Sequence, residues 1–494
     1  MYLIGYDIGS SSIKAALVEA ESGKTVAVCQ YPDSEMDIIS RQSGWAEQQP
    51  EVWWDNVRSA TQRLLEKTKV KAAAITAIGI SYQMHGLVLV DKDHHVLRPS
   101  IIWCDSRAVQ IGAQAFESIG KSQCLNHLLN SPGNFTASKL KWVKDNEPDL
   151  YERIYKALLP GDYIALKMTD QARTSISGLS EGMMWDFKEN KLATFLLDHY
   201  SIDSDLIPEI VGTVGDQGAL TKNAADFLGL AEGTSVAYRA GDQPNNAMSL
   251  NVLNPGEIAA TGGTSGVVYG VVDRPVVDES TRVNPFAHVN YTQENPSIGV
   301  LLCVNGAGIQ YSWMKQMLAR ENTTYEDIER MISSVEVNSD GLRIIPFGNG
   351  AERILANENI GAHIINLQFN RHGKAHFYRA ALEGIAYSFI YGMEIMKSIG
   401  IEVNVIKVGN DNLFQSEVFS TTIANLLGCE IEMLDTTGAV GAAKAAGVGS
   451  GIYQSFKEAF QKVSPVKVYE SSQSNGVYES GYQSWKKDLE KILA

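Results

Sequence analysis

The apolar run at residues 2–6 stops at Asp7-Ile8-Gly9-Ser10-Ser11-Ser12 and resumes at 13–18, a pattern that predicts strand, small-residue turn and second strand. The same grammar returns near the middle of the chain. Strand-forming residues at 257–261 and 267–272 flank Gly262-Gly263-Thr264-Ser265-Gly266. The two turns lie about half the chain apart. Two readings stay open here: a related sheet opens each half, or two Gly/Ser hairpins coincide. Gly23-Lys24-Thr25 reads as a hairpin tip, because Val18 stands where a nucleotide loop would need its leading glycine and Thr25 runs into another strand.

Further along, the periodicity predicts a helix over 50–67 with Val57, Ala60 and Leu64 on one face, a buried strand over 72–80 and another strand over 87–90. Helices are expected at 136–144 and 151–158, mixed helices and turns over 178–238, and a long Pro/Asn/Asp/Thr-rich loop over 273–297. Strand and helix then alternate: strand 363–367, helix 376–393, strand 405–408, helix 416–427. A small-residue helix begins at Thr437, where another backbone can come close, and the last twenty residues form a charged amphipathic helix suited to packing. Such alternation means α/β throughout.

Three places carry candidate chemistry. Asp242 follows Gly241 and precedes Pro244, which predicts a turn or loop lip and suits an exposed acid acting as a base. The Gly262–Gly266 turn can offer several backbone N–H groups to one anion. Trp103, Asp105 and Arg107 at a strand end could hold a polyol, the indole on its carbon skeleton and the charged groups on its hydroxyls.

Composition narrows the classes. A chain of 494 residues exceeds one ordinary core, so two domains are expected, with 44% hydrophobic and 20% charged residues placing it among globular proteins. A net charge of −15 without a Lys/Arg cluster excludes nucleic acid and anionic membrane as expected partners. Five cysteines, with no Cys-x-x-Cys pair, argue against a disulfide framework or zinc site and for a reducing cytoplasm. Asp7 in the first apolar run argues against a signal peptide, and no apolar run is long enough to span a membrane.

With these motifs in order, the chain resembles the FGGY carbohydrate kinase family and, within it, the xylulokinase branch. The resemblance rests on Asp7 to Lys14, Trp45 to Trp54, Gln83-Met84-His85-Gly86, Trp103 to Arg107, Leu159 to Tyr163, Gly241-Asp242, Gly263 to Gly266 and the run His376 to Glu383. It implies an actin-like ATPase (ribonuclease H-like) fold with two related α/β domains around a cleft. Residues 1–240 would mainly bind sugar and 241–494 would mainly bind ATP. It further implies ATP- and Mg²⁺-dependent phosphorylation of a ketopentose, D-xylulose to D-xylulose 5-phosphate. The alternatives are L-ribulose, L-xylulose, gluconate or another polyol, or a noncatalytic actin-like switch. A homodimer is common in the family.

Carried over, Asp242 would be the base, and Asp7 would hold magnesium-bound phosphates through water. Met84, His85, Trp103 and Asp105 would line the sugar pocket. Gly9, Ser10, Ser11, Lys14, Gly263, Thr264, Ser265, Gly409 and Asn410 would hold the nucleotide and its phosphates. The chain departs from the family pattern at Gln243-Pro244-Asn245-Asn246 after the acid, at Asn366, where glycine is usual, and at the shortened loop Gly409 to Asn412.

Overall fold

The computed structural model describes residues 1–472 and 475–494. Two mixed sheets share one strand plan. In the first, Tyr2–Ile8 pairs antiparallel with Ile13–Glu19, which pairs antiparallel with Thr25–Tyr31; on its other side Tyr2–Ile8 runs parallel to Ile75–Tyr82, and that strand parallel to Ser235–Gly241. In the second, Glu257–Gly262, Gly266–Val272 and Ile298–Val304 form the antiparallel meander, and Val405–Gly409 and Glu430–Leu434 add in parallel on the far side. Asn284–Ala287 and Lys467–Tyr469 extend its two edges. The coincidence reading therefore fails: each half opens on the same hairpin of a related sheet, the duplicated plan of an actin-like ATPase fold.

The halves interlock through the helix that follows the fifth strand of each plan, Asp242–Ser249 in one and Gly438–Gly449 in the other. The second of these lies on the first sheet. A Cβ added to Gly5 would sit 1.9 Å from the Ala439 carbonyl oxygen, and one on Gly79 2.0 Å from that of Ala442. Only glycine on the strands and alanine on the helix allow so close a seat. The two helices also meet each other, since a Cβ on Gly441 would lie 1.7 Å from Ser249 Oγ, and Asn245 Nδ2 donates to the Gly438 carbonyl at 2.9 Å. Pro50–Thr68 packs behind the first sheet on its buried Trp53, Val57, Ala60 and Leu64. In the second half Lys374–Ser398 is buried on most of its circumference between the sheet, Glu417–Leu427 and the C-terminal helix Asn475–Leu493, where Trp485 Nε1 donates to the Ile344 carbonyl at 2.8 Å.

Four expectations change. Residues 151–158 are not a helix: a short one, Pro148–Tyr151, ends there and Lys156–Leu158 pairs antiparallel with Val88–Val90, so a partner strand outweighs local helix propensity. The 178–238 stretch ends in Ser235–Gly241, the buried edge of the first sheet, whose signal the surrounding turns mask. The 273–297 loop contains the strand Asn284–Ala287, which tolerates Pro285 because it is an edge. Finally, Asp242 is the first residue of a helix, not a loop residue. Pro244 falls in the first helical turn, where its missing N–H costs nothing, so a helix start had the look of a turn. Among the described residues no helix is long and apolar enough to cross a membrane.

Candidate active site

Sheet register builds the centre. Asp7 sits opposite Lys14 on one neighbouring strand and Ser81 on the other, which puts an acid, a base and a hydroxyl side by side at the strand ends. Ser81 Oγ donates to Asp7 Oδ1 at 3.1 Å. Asp242 comes to the same place from the last strand of that sheet. Together with Gly9, Ser10, Ser11, Ser12, Lys14, Gln83 and Trp103, the two acids line a cavity of about 270 Å³.

That cavity does not stand alone. Asp7 and Lys14 also line a second one of about 200 Å³, whose far wall includes Thr261, Gly409, Asn412, Thr437 and Gly438. Asn412 and Asp411 continue into a third of about 470 Å³, walled by Gly262, Gly263, Thr264, Gly308, Tyr311 and Tyr325. The three share residues end to end, so a trough runs from Trp103 in the first half to the stacked Tyr311 and Tyr325 in the second, whose rings lie 5.7 Å apart. Such a shape holds an elongated polyanion with a small polar molecule at one end.

Electrostatics separates the two acids from ordinary surface carboxylates. Burial, and then the charge of Asp7, push Asp242 up to about 7 from its usual 3.8. Burial also raises Asp7, against the opposing pull of Lys14 and the Ser81 hydrogen bond. At the helix Gly438–Gly449 a Cβ on Gly438 would stand 2.9 Å from Asp7 Oδ2, so the helix N-terminus abuts this acid.

Of the residues singled out from sequence, Asp7, Gly9, Ser10, Ser11, Lys14, Trp103 and Asp242 meet in the first cavity, Gly409 lies in the second, and Gly263 and Thr264 lie in the third. Trp103 is 54% exposed, its Nε1 donating to Ser10 Oγ at 3.3 Å, so its ring is free to be covered. Ser265 and Asn410 lie outside these linings; the Asn410 carbonyl accepts from Gln415 Nε2 at 2.9 Å.

Asp105 departs from its expected place. It is fully buried, its carboxylate taken by Ala46 N–H at 2.6 Å and by Arg107 Nη2 at 2.6 Å. Arg107 is itself buried, paired with Glu47 at 2.8 Å and stacked 3.9 Å over Trp45. This pair shapes the loop that carries Trp103 and does not reach the cavity. Met84 and His85 are also set back from the cavity wall. Met84 packs under Gly241, where a Cβ would come within 2.5 Å of its Cγ, and His85 lies between Phe135 and Phe286 at 4.7 and 5.4 Å.

Sequence reasoning passed over Lys139 and Glu181. Both are buried, Lys139 in the helix Thr136–Asn146 and Glu181 at the end of Ile176–Glu181. Burial drives Lys139 down to about 7 and Glu181 well above the carboxylate range. The signal was available: Glu181 interrupts the apolar run around Leu179, Met183 and Met184, and Lys139 stands beside Leu140 on the buried face of its helix.

The N-terminal-domain profile of the FGGY family of carbohydrate kinases matches residues 2–249, and its C-terminal-domain profile matches 258–450. A xylulose kinase of Bacillus subtilis (strain 168) is 30% identical to the chain over 469 residues, 92% of this chain and 90% of that protein. The solved structure of a ligand-bound xylulose kinase from Lactobacillus acidophilus superposes with a TM-score of 0.89 at 22% identity, covering 100% of this chain and 98% of that one. A gluconate kinase from the same organism has the same fold, with a TM-score of 0.88 at 22% identity over 100% and 98% of the two chains. The fold is thus shared by kinases named for different substrates.

Proposed function

The chain belongs to the FGGY family of carbohydrate kinases, enzymes that use ATP to phosphorylate a carbohydrate, and we propose that its substrate is a ketopentose, D-xylulose, phosphorylated to D-xylulose 5-phosphate with Asp242 as the base. One observation carries the assignment of roles: Asp242 and Trp103 share the small end of a trough whose long end reaches the glycine turn at Gly262 to Thr264.

In this reading the sugar occupies the Trp103 end, its carbon skeleton on the indole and the reacting hydroxyl on the Asp242 carboxylate. Asp242 orients that hydroxyl and takes its proton as the phosphoryl group arrives. A carboxylate pushed up to about 7 is a better base than an ordinary one and still ionises near neutral pH. ATP lies along the trough. Lys14, the N–H groups of the 9–12 turn and the N-terminus of Gly438–Gly449 face its phosphates, while Gly263, Thr264 and the two tyrosines line the distal part. Phosphoryl transfer passes through a loose transition state, so alignment and charge stabilisation carry most of the rate.

Magnesium fits the donor set. Asp7 and Asp242 repel each other in a buried place, and a hard divalent cation held by Asp7, waters and phosphate oxygens relieves that repulsion. When bound, the ion neutralises charge on the phosphates. The domain assignment follows the sheets: residues 1–240 supply most of the sugar end and 241–494 most of the nucleotide end, with Asp242 at the junction. The five unpaired cysteines agree with a reducing cytoplasm. A homodimer completes the reading, measurable by light scattering on a sizing column.

Gln243 and Pro244, directly after the base, favour testing a second group of acceptors. Coupled ADP release should be measured with D-xylulose, L-xylulose, L-ribulose, gluconate and glycerol. We expect D-xylulose to give the highest kcat/KM. A different leader would replace the substrate and keep the mechanism, whereas ATP hydrolysis indifferent to every carbohydrate would point to a switch and overturn both.

A further inference from the structure

A separate cavity of about 260 Å³ lies in the second half and shares no lining residue with the trough. Three segments enclose it. One face of the helix Lys374–Ser398, from Ala380 to Tyr387, looks across at one face of the C-terminal helix, from Ser480 to Trp485, and residues 338–344 form the third wall.

That third wall is strained. Asn338, Ser339, Asp340 and Gly341 run in succession with φ of +74°, +49°, +53° and +84°, the left-handed region that only glycine enters freely. Buried groups hold it there. The Glu383 carboxylate accepts the Asn338 N–H at 2.9 Å and the Ser339 hydroxyl at 2.7 Å, and the Tyr387 hydroxyl donates to Asn338 Oδ1 at 3.0 Å. Asn366, where the family usually has glycine, adds a brace that glycine has no side chain to make: its Nδ2 donates to the Gly341 carbonyl at 2.9 Å. Backbone held against its preference in this way belongs to ligand clamps and switch segments.

Charge around the cavity is already balanced. Arg343 pairs through Nε with Asp488 at 2.7 Å, and Glu383 pairs with Arg379 at 2.9 Å, so neither pair leaves an uncompensated charge to attract an anion. Hydroxyl groups suit it better. Arg343 Nη2 and Ser480 Oγ make no hydrogen bond among the described residues, Ser480 and Ser484 stand at the exposed mouth, and Trp485 with Leu342 supplies an apolar wall. Donors and hydroxyls beside an aromatic wall match the hydroxyl edge and C–H face of a small neutral polyol. The volume is little more than half the 470 Å³ of the nucleotide end.

The helix that lines this cavity also backs the nucleotide end. Arg379 Nη1 donates to the Ile332 carbonyl at 3.4 Å, and the helix Tyr325–Ile332 brings Tyr325 and Glu329 to the third cavity of the trough. Two residues beyond Tyr387, Phe389 lies against the end of the glycine turn, where a Cβ on Gly266 would come within 2.5 Å of its ring. We infer that this cavity is an effector site for a small neutral polyol, separate from the acceptor end of the trough, and that filling it steadies the helix Lys374–Ser398 and tightens nucleotide binding. The coupling rests on the reading above, in which ATP lies along the trough; the polyol site itself does not.

The full-length protein tests both parts, with xylitol as the neutral polyol. Titration calorimetry without ATP should show a xylitol event in the parent that Ser484→Leu, which fills the mouth, removes, and that Ser480→Ala and Asn366→Gly each weaken about three- to tenfold. Xylitol bound at the acceptor end would give an event that all three variants keep. Soaked crystals of the parent should hold xylitol against Arg343 and Trp485. With xylitol saturating, ADP should bind the parent about fivefold more tightly and Ser484→Leu no more tightly than before. Xylitol isotherms identical in the parent and the three variants, or an ADP affinity indifferent to xylitol, overturn the inference. Displacement of xylitol from this cavity by inorganic phosphate would overturn the neutral character of the ligand. Absence of any ADP binding would instead remove the ATP reading, and the xylitol event would still decide the site.

Discussion

Replacing Asp242 by Asn should cut turnover sharply and stabilise the protein, with a pH dependence that reports the acid's environment. Asn has the shape of a protonated aspartate and cannot ionise. The folded parent holds a proton on Asp242 up to about pH 7, against 3.8 for an ordinary aspartate, a rise caused first by burial and then by Asp7. Roughly 3 pH units at 1.36 kcal/mol each give a ceiling of about 4 kcal/mol, which solvent at the cleft reduces to about 2–4 kcal/mol. The sign follows from linkage. The raised group contributes its full stability below about pH 3.8 and loses it as pH rises through about 7. Parent and variant should therefore melt together near pH 4, diverge in favour of Asn up to pH 7, and then run parallel. For a chain of 494 residues the unfolding entropy is roughly 1 kcal/mol/K, so the gap should plateau at about 2–4 °C. Scanning fluorimetry across pH, with ADP release on the same samples, measures both effects. The rate should fall by about 10²–10⁴ in the variant, and the parent's kcat/KM should rise with pH through about 7, where the base ionises. A variant less stable at pH 8 than the parent, or a gap that widens as pH falls, would refute the assignment of a buried acid facing a like charge.

Three further substitutions probe the frame around it. Gly438→Ala puts a methyl group 2.9 Å from Asp7 Oδ2 and 2.7 Å from Asn246 Oδ1; it should cut kcat about 10–100-fold with little change in melting temperature, read by paired kinetics and fluorimetry. Gly5→Ala instead places its methyl 1.9 Å from a backbone carbonyl that cannot move alone, and should cost about 3 kcal/mol, visible as loss of soluble protein or an early transition in denaturant. Asp105→Asn leaves the buried Arg107 with Glu47 alone; it should destabilise by about 3 kcal/mol and raise the sugar KM while sparing that of ATP, because the Trp103 loop loses its anchor.

Much of this protein was legible along the chain. The two strand–turn–strand patterns at Gly9 and Gly262 marked both sheets, because a hairpin with a glycine turn is a local object whose code lies within about fifteen residues. Asp7 and Asp242 stood out because acids close to glycine at strand ends have few structural uses, and Trp103 because an aromatic, an acid and a base fall within five positions at a strand end. Local signals failed where a distant partner decides the outcome. Residues 156–158 became a strand because Val88–Val90 was there to pair, and Asn284–Ala287 because Ile298–Val304 offered an edge. Asp105 carried the composition of a sugar ligand, yet the fold brought Arg107 and the Ala46 N–H onto it. His85, Lys139 and Glu181 come from three separate segments, and only folding brings the Glu181 carboxylate to the His85 N–H and Lys139 Nζ to the His85 carbonyl. Sequence by itself determined which strands and turns could form and which acids were exceptional. Tertiary structure decided which carboxylate faces the cleft, which is consumed in the frame, and how high Asp242 titrates, since burial and the nearness of another charge exist only once the two halves have packed together.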